Sequence, residues 1–457
     1  MRPRDTRCIV LRRCAISGLM LCCTLVASAR TRPHYGGTLR VETQEDPWQT
    51  ADGMARRLTM DGLTRLDTAG QVRAALATGW SSQNGEHRWE FRIRPNVHFH
   101  DGTALTAETV AASLTQSCRS GACPWTAVQA VGQTVVLTSD SPMPDLPAQL
   151  ARAEFLIAHS DTQGAPDGTG VFQVTGFANG VMAFAANDDY WNGRPFVDAV
   201  ELRPRRSIRD QWLDLSIGRA DLVQVPPQML HQAQQQHMAV TVSEPVELVA
   251  LQLSATGALA NPKLREAVAL AVDRSALYNV IFQKQGEITA SLLPEALSGY
   301  AFLFAPDRDL NRAVALRGGA TSSVLTLAAE DGGAELQLAI ERIALNLREA
   351  GFRAQVMPAA QSGQGQPDIL LRRVSLEETQ AGAALNEMLE SFGQHGTASG
   401  TDTAALYRAE RDFLAGHTVV PLLWLPRAWA VSERVRDLRL AADGSPQLSD
   451  AASEDTK

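Results

Sequence analysis

Short runs in which apolar and polar residues alternate predict β-strands at several places along the chain. Residues 38–42 alternate in this way, and residues 88–94 alternate until Pro95 ends the run. Residues 168–175 and 181–185 have the same pattern and are close enough in sequence to pair. Because successive side chains of a strand point to opposite faces, each run fits a sheet that is buried on one face.

Two helices are predicted from the residues that begin them. Thr106 can cap a helix that follows a turn, since its hydroxyl can accept a hydrogen bond from the first turn. Asn261 and Pro262 form a second start, a capping residue followed by a proline at the first helical position. Apolar residues then recur on one face of this second helix, at Leu264, Val268 and Val272.

Residues 323–374 predict a parallel α/β unit. A strand at 324–328 is followed by a helix that ends at Gly351, and strands are expected at 352–357 and 368–374. The helix carries its apolar residues on one face, at Leu336, Ile340, Ile343 and Leu347. A strand, a helix and a strand at this spacing indicate a right-handed crossover between parallel strands.

Length and composition describe a globular protein of more than one domain. The chain has 457 residues, which exceeds the roughly 250–300 at which single cores stop growing. Apolar residues make up 45% and charged residues 20%, so a disordered chain is excluded. The net charge is −8 and the sequence has no block of basic residues. We therefore expect no nucleic acid among its partners.

The N-terminus has the pattern of a cleaved signal peptide, residues 1–29. An apolar run at 14–27 ends in small residues at 27–29, where a signal peptidase would cut. The basic residues before this run are Arg2, Arg4, Arg7, Arg12 and Arg13. Bulky residues precede Cys22 and Cys23, which disfavours a lipid anchor. The alternative is a buried or membrane-anchoring N-terminal helix. We favour export to a periplasm.

Cys118 and Cys123 are the cysteines that remain after the signal peptide. In an oxidising compartment they are expected to close a small disulfide loop, worth roughly 2 kcal/mol by the chain-entropy argument. Two free thiols are the alternative. A metal site at this pair is disfavoured because no further histidine or cysteine lies nearby.

Motifs of catalysis are missing from the sequence. It has no Gly-x-Ser-x-Gly elbow, no phosphate loop and no His-Glu-x-x-His. His98 and His100 alternate onto one strand face and are followed by Asp101, which permits a metal role, but we favour histidines that support a turn. We therefore expect no enzyme activity, no cofactor and no metal.

Several motifs, taken together and in order, resemble the solute-binding proteins of peptide/nickel ABC transporters, bacterial extracellular solute-binding protein family 5. They include Asp61-Gly-Leu-Thr-Arg-Leu and the tract from Trp89 through Phe99-His-Asp-Gly to Glu108. The remaining matches lie at residues 77–80, 168–172, 187–195, 218–222, 261–274 and 292–294. The resemblance spans about residues 36–295, and a weaker match lies at residues 419–424.

The resemblance implies a two-lobed α/β periplasmic-binding-protein fold of type II, like that of the large peptide-binding proteins, with an extra inserted domain. A split first domain would comprise 30–48, 171–255 and 415–450, the inserted second domain 49–170, and the third domain 256–414, followed by a tail at 451–457. The chain would cross between lobes near residues 253–254 and 415. Ligand binding would close the lobes about this hinge.

Ligand-binding residues are predicted where the chain departs from the family or reaches the lobe junction. Peptide-binding members usually carry a tryptophan and an acidic residue after a third-domain strand, where this chain has Arg372 and Arg373. Neighbouring strand residues point to opposite faces, so at most one arginine faces the cleft, where it would bind an anionic group. The other candidates are Ser254 and three tryptophans that can stack on a ligand, Trp48, Trp424 and Trp429. For the tryptophans, packing between domains is the alternative.

The expected function follows from this resemblance. A monomer would capture a peptide or similar small solute between two closing lobes and deliver it to the permease subunits of an ABC transporter. The alternative is a sensory or scaffold protein on the same fold, which has lost transport and presents a surface to a partner.

Overall fold

A computed structural model of the chain describes residues 35–44, 53–118, 123–160, 166–300, 304–319, 323–330, 333–357, 366–394 and 402–453. The predicted signal peptide, most of the tail and Trp48 lie outside these residues.

The first described part contains one strand of the main sheet and then a separate small sheet. Its elements are β1 (Thr38–Glu42), α1 (Met54–Thr59), β2 (Thr64–Leu66), β3 (Val72–Ala74), β4 (Ala77–Gln83), β5 (Arg88–Ile93), α2 (Ala107–Ser117), β6 (Ala127–Val131), β7 (Thr134–Thr138), α3 (Leu146–Gln149), β8 (Ala158–Ser160) and β9 (Pro166–Gly168). Strands β4, β5, β7 and β6 form an antiparallel sheet in that order. Trp89, Phe91 and Leu137 of this sheet share a core with Leu114 of α2.

The predicted start of α2 is confirmed. The Thr106 hydroxyl accepts a hydrogen bond from the Thr109 amide, and the Thr109 hydroxyl accepts one from the Thr106 amide. At the other end of the helix, the structure joins Cys118 to Cys123 by a disulfide. Both cysteines pack against the core of the small sheet.

The chain then returns to the main sheet. Its next elements are β10 (Phe172–Ala178), β11 (Val181–Ala186), β12 (Ala199–Arg203), α4 (Ile208–Ser216), β13 (Leu222–Gln224), α5 (Leu230–Gln235) and β14 (Ala239–Leu253). β10 and β11 form the predicted antiparallel pair. β1 lies between β12 and β13 and is parallel to both.

The remaining chain contains the predicted α/β unit. Its elements are α6 (Pro262–Ala271), α7 (Arg274–Ala276), β15 (Glu287–Ile288), α8 (Glu295–Ser298), α9 (Leu310–Arg317), β16 (Val324–Ala329), α10 (Ala334–Glu349), β17 (Arg353–Val356), β18 (Ile369–Ser375), α11 (Ala381–Ser391), α12 (Thr403–Leu414), β19 (Val419–Val431), β20 (Val435–Arg436), β21 (Arg439–Leu440), β22 (Pro446–Gln447) and β23 (Ala452–Ser453). β16 is parallel to β17 and to β18, as predicted. Gly351 follows α10 with φ of 84°, which suits the left-handed residue that ends a helix.

Eleven of the described strands form one mixed sheet. Ten run in the order β10-β11-β12-β1-β13-β19-β14-β18-β16-β17, and β15 pairs with β19. The long antiparallel strands β14 and β19 connect the two ends of this sheet. In β14 the buried residues alternate between two cores: Val249 and Leu251 contact one layer of helices, whereas Leu248 and Ala250 contact the other.

The ladder between β14 and β19 is interrupted at two prolines that face each other. Pro245 is paired in register with Pro426, and the register shifts on both sides of Pro245. Proline has no backbone N–H to donate, so both strands lose a donor at the same level. This break lies earlier in β14 than the predicted crossing at residues 253–254. The predicted domain boundaries stay a prediction.

Two glycines fix the place where β9 meets the end of α1. A Cβ atom on Gly168 would lie 2.1 Å from the Thr59 carbonyl oxygen. A Cβ atom on Gly170 would lie 2.3 Å from the Thr59 carbonyl carbon and 2.6 Å from the Met60 amide nitrogen. The close approach lets the Gly170 amide donate to the Thr59 oxygen at 2.9 Å.

We predict that Gly170→Ala lowers the free energy of unfolding by about 3 kcal/mol, the upper end for an inserted methyl group, because the three atoms nearest to the added Cβ belong to the backbone. Urea unfolding measures the loss. Gly79→Ala is the matched control, since a Cβ atom on that strand glycine would meet no other atom within 4 Å. Equal stability of the two variants would contradict the close approach.

Candidate functional site

A cavity of about 480 Å³ lies beside the break between β14 and β19; we call it the central cavity. One side is formed by α1, by residues 60–68 and by the loop after β13. Glu335, Arg373 and Glu377 contribute from the α/β unit. Residues 426–429 of β19 and residues 439–450 complete the lining. Parts of the chain that are far apart in sequence therefore share one cavity.

Arg373 and Arg427 form a chain of ion pairs along this cavity. Arg373 contacts Glu335 at 2.8 Å and lies 4.0 Å from Glu247. Arg427 contacts the other side of Glu247 at 3.0 Å and donates to the Ser375 hydroxyl at 2.5 Å. Glu247 is thus held between two arginines, one on β18 and one on β19.

Arg57 of α1 joins the same lining from the opposite side. Its guanidinium lies 2.8 Å from Asp443 and 3.2 Å from Glu377, which follows β18. Nearby, the Thr379 hydroxyl donates to the Gly70 carbonyl oxygen at 2.7 Å. These contacts connect the part of the chain around α1 and β3 with the α/β unit across the cavity.

Asp61, a half-buried residue, contributes its carboxylate to the cavity wall. It accepts hydrogen bonds from the Tyr190 hydroxyl at 2.8 Å, from the Trp191 ring nitrogen at 2.9 Å and from the Thr169 hydroxyl at 2.9 Å. Burial raises the pKa of Asp61, although these three donors oppose the rise. The family motifs around Asp61 and Trp191 thus meet in one structural cluster.

A second acidic cluster lies where Arg152 faces the segment after β18. The Glu387 carboxylate accepts hydrogen bonds from the backbone amides of Glu377 and Glu378 at 3.0–3.2 Å. Burial, reinforced by the neighbouring Glu387 and opposed by Arg152, raises the pKa of Glu378 to about 8. Among the described residues, neither carboxylate oxygen of Glu378 has a hydrogen-bond partner. This carboxyl is therefore costly to ionise in the folded protein.

The two predicted arginines lie on opposite faces of β18, and only Arg373 lines the central cavity. Arg372 instead donates to the Ser391 carbonyl oxygen at 2.6 Å and to Gln252 at 3.2 Å. It also lies 3.4 Å from Glu330. Strand alternation predicted this division without showing which of the two faces the cavity.

The other predicted ligand-binding residues lie elsewhere. Ser254 follows β14, outside the cavity lining, where its hydroxyl contacts Thr256. Trp424 is 1% exposed and packs in the core beside α11 and α12. Trp48 lies outside the described residues. Trp429, which was also a candidate from the sequence, lines the cavity and donates to the Gly444 carbonyl oxygen.

Sequence reasoning missed most of the cavity's charged residues. Arg427 carried a usable signal, since it is the one charged residue of β19 and interrupts an apolar strand. Arg57 and Asp443 have no such signal in the sequence, because they become part of the cavity only through contacts between distant segments.

The fold is that of the two-lobed periplasmic binding proteins. In the structure of DppA from Helicobacter pylori, an ABC transporter-associated periplasmic binding protein in complex with the peptide STSA, the match covers 92% of this chain and 99% of that one. The TM-score is 0.80 at 18% identity. NikA from Staphylococcus aureus, in complex with Ni(L-His)2, gives a TM-score of 0.79 at 16% identity and covers 89% and 97% of the two chains. The predicted fold class is confirmed.

Residues 71–396 match bacterial extracellular solute-binding proteins, family 5, and the chain belongs to this family. By sequence, the nickel-binding protein NikA of S. aureus is 24% identical over 235 residues, which are 49% of this chain and 48% of NikA. The chain thus matches about half the length of this relative. A probable di/tripeptide-binding protein of Pseudomonas aeruginosa is 25% identical over 386 residues, 71% and 73% of the two chains.

Members of family 5 are binding proteins of the periplasm or the cell exterior, and homologues bind peptides or nickel for ABC transporters. Within the part of the chain that the structure describes, no helix has the length and apolar character needed to cross a membrane.

We predict that Glu378→Gln removes a pH dependence of stability. The raised pKa means that the folded state binds more protons than the unfolded state between about pH 4.5 and 8. Wild-type stability therefore falls as pH rises through this range, by at most about 1.4 kcal/mol per pH unit. The variant should lose this decline and be the more stable protein at pH 9.

Urea unfolding of both proteins between pH 5 and 9 measures the difference. Glu433→Gln is the control, because Glu433 is exposed. Parallel stability curves for wild type and Glu378→Gln would show that this carboxyl does not carry the effect.

Proposed function

We propose that this protein is an exported solute-binding protein, which captures a peptide or similar small solute in the central cavity and delivers it to an ABC transporter permease. The observation that carries the proposal is the cavity itself. Its volume of about 480 Å³ lies in the range of small-molecule sites, roughly 300–1,000 Å³, and its lining comes from both sides of the β14–β19 pair. Non-enzymatic action as a monomer and a cleaved signal peptide are parts of the same proposal.

The charges of the lining favour a ligand that carries both signs. Arg373, Arg427 and Arg57 are each paired with carboxylates of the same cavity. A ligand with a charge of only one sign would displace one member of an ion pair in the cavity. The other member would then be buried without an opposite charge. A zwitterion such as a short peptide can offer a carboxylate to an arginine and an ammonium group to a carboxylate, so that both members of a pair keep an opposite charge.

The closing motion is proposed to bend the protein at Pro245 and Pro426. Neither proline has a backbone N–H to donate to the opposite strand, so the two strands are easier to deform at Pro245 and Pro426 than at the neighbouring residues. The contacts from Arg57 to Glu377 and from Thr379 to Gly70 would hold the closed state. We retain the predicted division into a split first domain, an insert and a third domain.

Native mass spectrometry of protein released gently from the periplasm tests this proposal. We expect a small-molecule adduct that disappears under denaturing conditions. The denatured mass also reports cleavage after Ala29. A protein that carries no adduct, and that shows no change in melting temperature with a panel of di- and tripeptides, would favour the sensory or scaffold alternative.

Arg373 is proposed to bind an anionic group of the ligand. With peptides from this panel, Arg373→Ala should weaken the binding of a free carboxyl terminus about ten- to hundredfold, the value of one charged hydrogen bond. Arg372→Ala is the matched control, since this neighbouring arginine lies outside the cavity lining. Its affinity should stay within about twofold of wild type.

Calorimetry with each peptide in free and C-terminally amidated form isolates this contact. Wild type should prefer the free acid, and Arg373→Ala should lose that preference. If Arg373→Ala keeps it, the carboxylate binds elsewhere, and the proposed solute-binding function is unaffected.

A further inference from the structure

Outside the central cavity, the structure brings together two aspartates and a histidine from separate segments. Asp101 lies in the turn before α2, His159 on β8 and Asp167 on β9. One potential ligand atom from each lies within 4.8 Å of the other two. From the sequence, His98 and His100 were the histidines with a possible metal role, because no local pattern shows that β8 and β9 lie against this turn.

We propose that Asp101, His159 and Asp167 bind a divalent zinc ion. Imidazole nitrogen and carboxylate oxygen are both zinc ligands, and the imidazole favours zinc over calcium or magnesium. Three protein ligands leave one position of a tetrahedral site to water.

Two of the three spacings between ligand atoms fit this ion. Zinc bonds of about 2.1 Å place tetrahedral ligands about 3.4 Å apart. The His159 Nε2 atom lies 3.4 Å from Asp101 Oδ2 and 3.7 Å from Asp167 Oδ2. Among the described residues, this nitrogen is shielded from solvent and has no hydrogen-bond partner. An ion between the three side chains would satisfy it.

Neighbouring groups hold the ligands in place. The Phe99 ring lies edge-on to His159 with ring centroids 4.2 Å apart. The amide of Thr103 donates to Asp101 Oδ1 at 2.8 Å, which fixes the position of that carboxylate. On the outer side, His100 Nδ1 lies 3.2 Å from Asp167 Oδ1, and its Nε2 contacts the Gly170 carbonyl oxygen at 2.9 Å.

These contacts of His100 lie next to the place where Gly168 and Gly170 approach the end of α1. The His100 amide donates to the Gly168 carbonyl oxygen at 3.0 Å, and the His100 ring contacts Gly170. The next residue after Gly168, Thr169, donates to Asp61 in the cavity wall. A zinc ion at this site would therefore brace the turn before α2 against the β8–β9 hairpin, next to the junction with α1. This role does not depend on the ligand of the central cavity.

Zinc binding to untagged, EDTA-stripped protein tests the proposal, since a histidine tag would bind zinc itself. Titration with zinc chloride against a fluorescent chelator should show one ion bound, and the melting temperature should rise with zinc. Asp167→Asn should weaken this binding by more than about a hundredfold, because loss of an outer-shell partner alone costs about 10–100-fold. His159→Gln should do the same if Asp167→Asn fails to fold.

His98→Gln is the matched control, because it removes an exposed histidine from the same turn without touching the three ligands. It should bind zinc as wild type does. Wild type that binds no zinc, or zinc binding that survives both ligand substitutions, would overturn the proposal. The cluster would then be a histidine ion-paired with two aspartates.

Discussion

The antiparallel pair β14 and β19 is the constraint on which the rest of the structure depends. Every described strand of the main sheet on one side of this pair reaches the other side through it. Its apolar residues supply the cores on both faces of the α/β unit, while Trp429 belongs to the core around β1. The same strands carry Glu247 and Arg427 into the central cavity. The framework and the central cavity therefore share this pair of strands.

Charge pairing in the cavity depends on this arrangement. Arg373 and Glu335 belong to the α/β unit, whereas Arg57 and Asp443 lie on the opposite side. Burying such groups is costly unless each is paired, and the pair of Arg57 with Glu377 forms only when the two sides meet. The paired lining thus couples the approach of the two sides to the electrostatics of the cavity. A solute of matching charges would replace internal partners with its own.

Local patterns predicted the elements of this protein better than its site. The sequence of residues 323–374 predicted a strand, a helix and a strand, because the spacing of apolar residues and the helix-ending Gly351 are local signals. The opposite orientation of Arg372 and Arg373 followed from strand alternation alone. The pairing of Arg57 with Glu377 could not be predicted, since the two residues are 320 positions apart. The position of Trp424 in a core is explained in a related way: the sequence near it fits an aromatic residue in a core as well as one in a cleft.

The opposed prolines also divide the sheet for local unfolding. Pro245 and Pro426 separate a ladder that includes β13 from one that includes β18. Cooperative unfolding units often coincide with continuous hydrogen-bonded motifs. The break therefore allows the two ends of the sheet to act as separate foldons. Amide protons of residues 239–242 and of residues 247–253 would then exchange with water at two different free energies of opening, although they belong to a single strand.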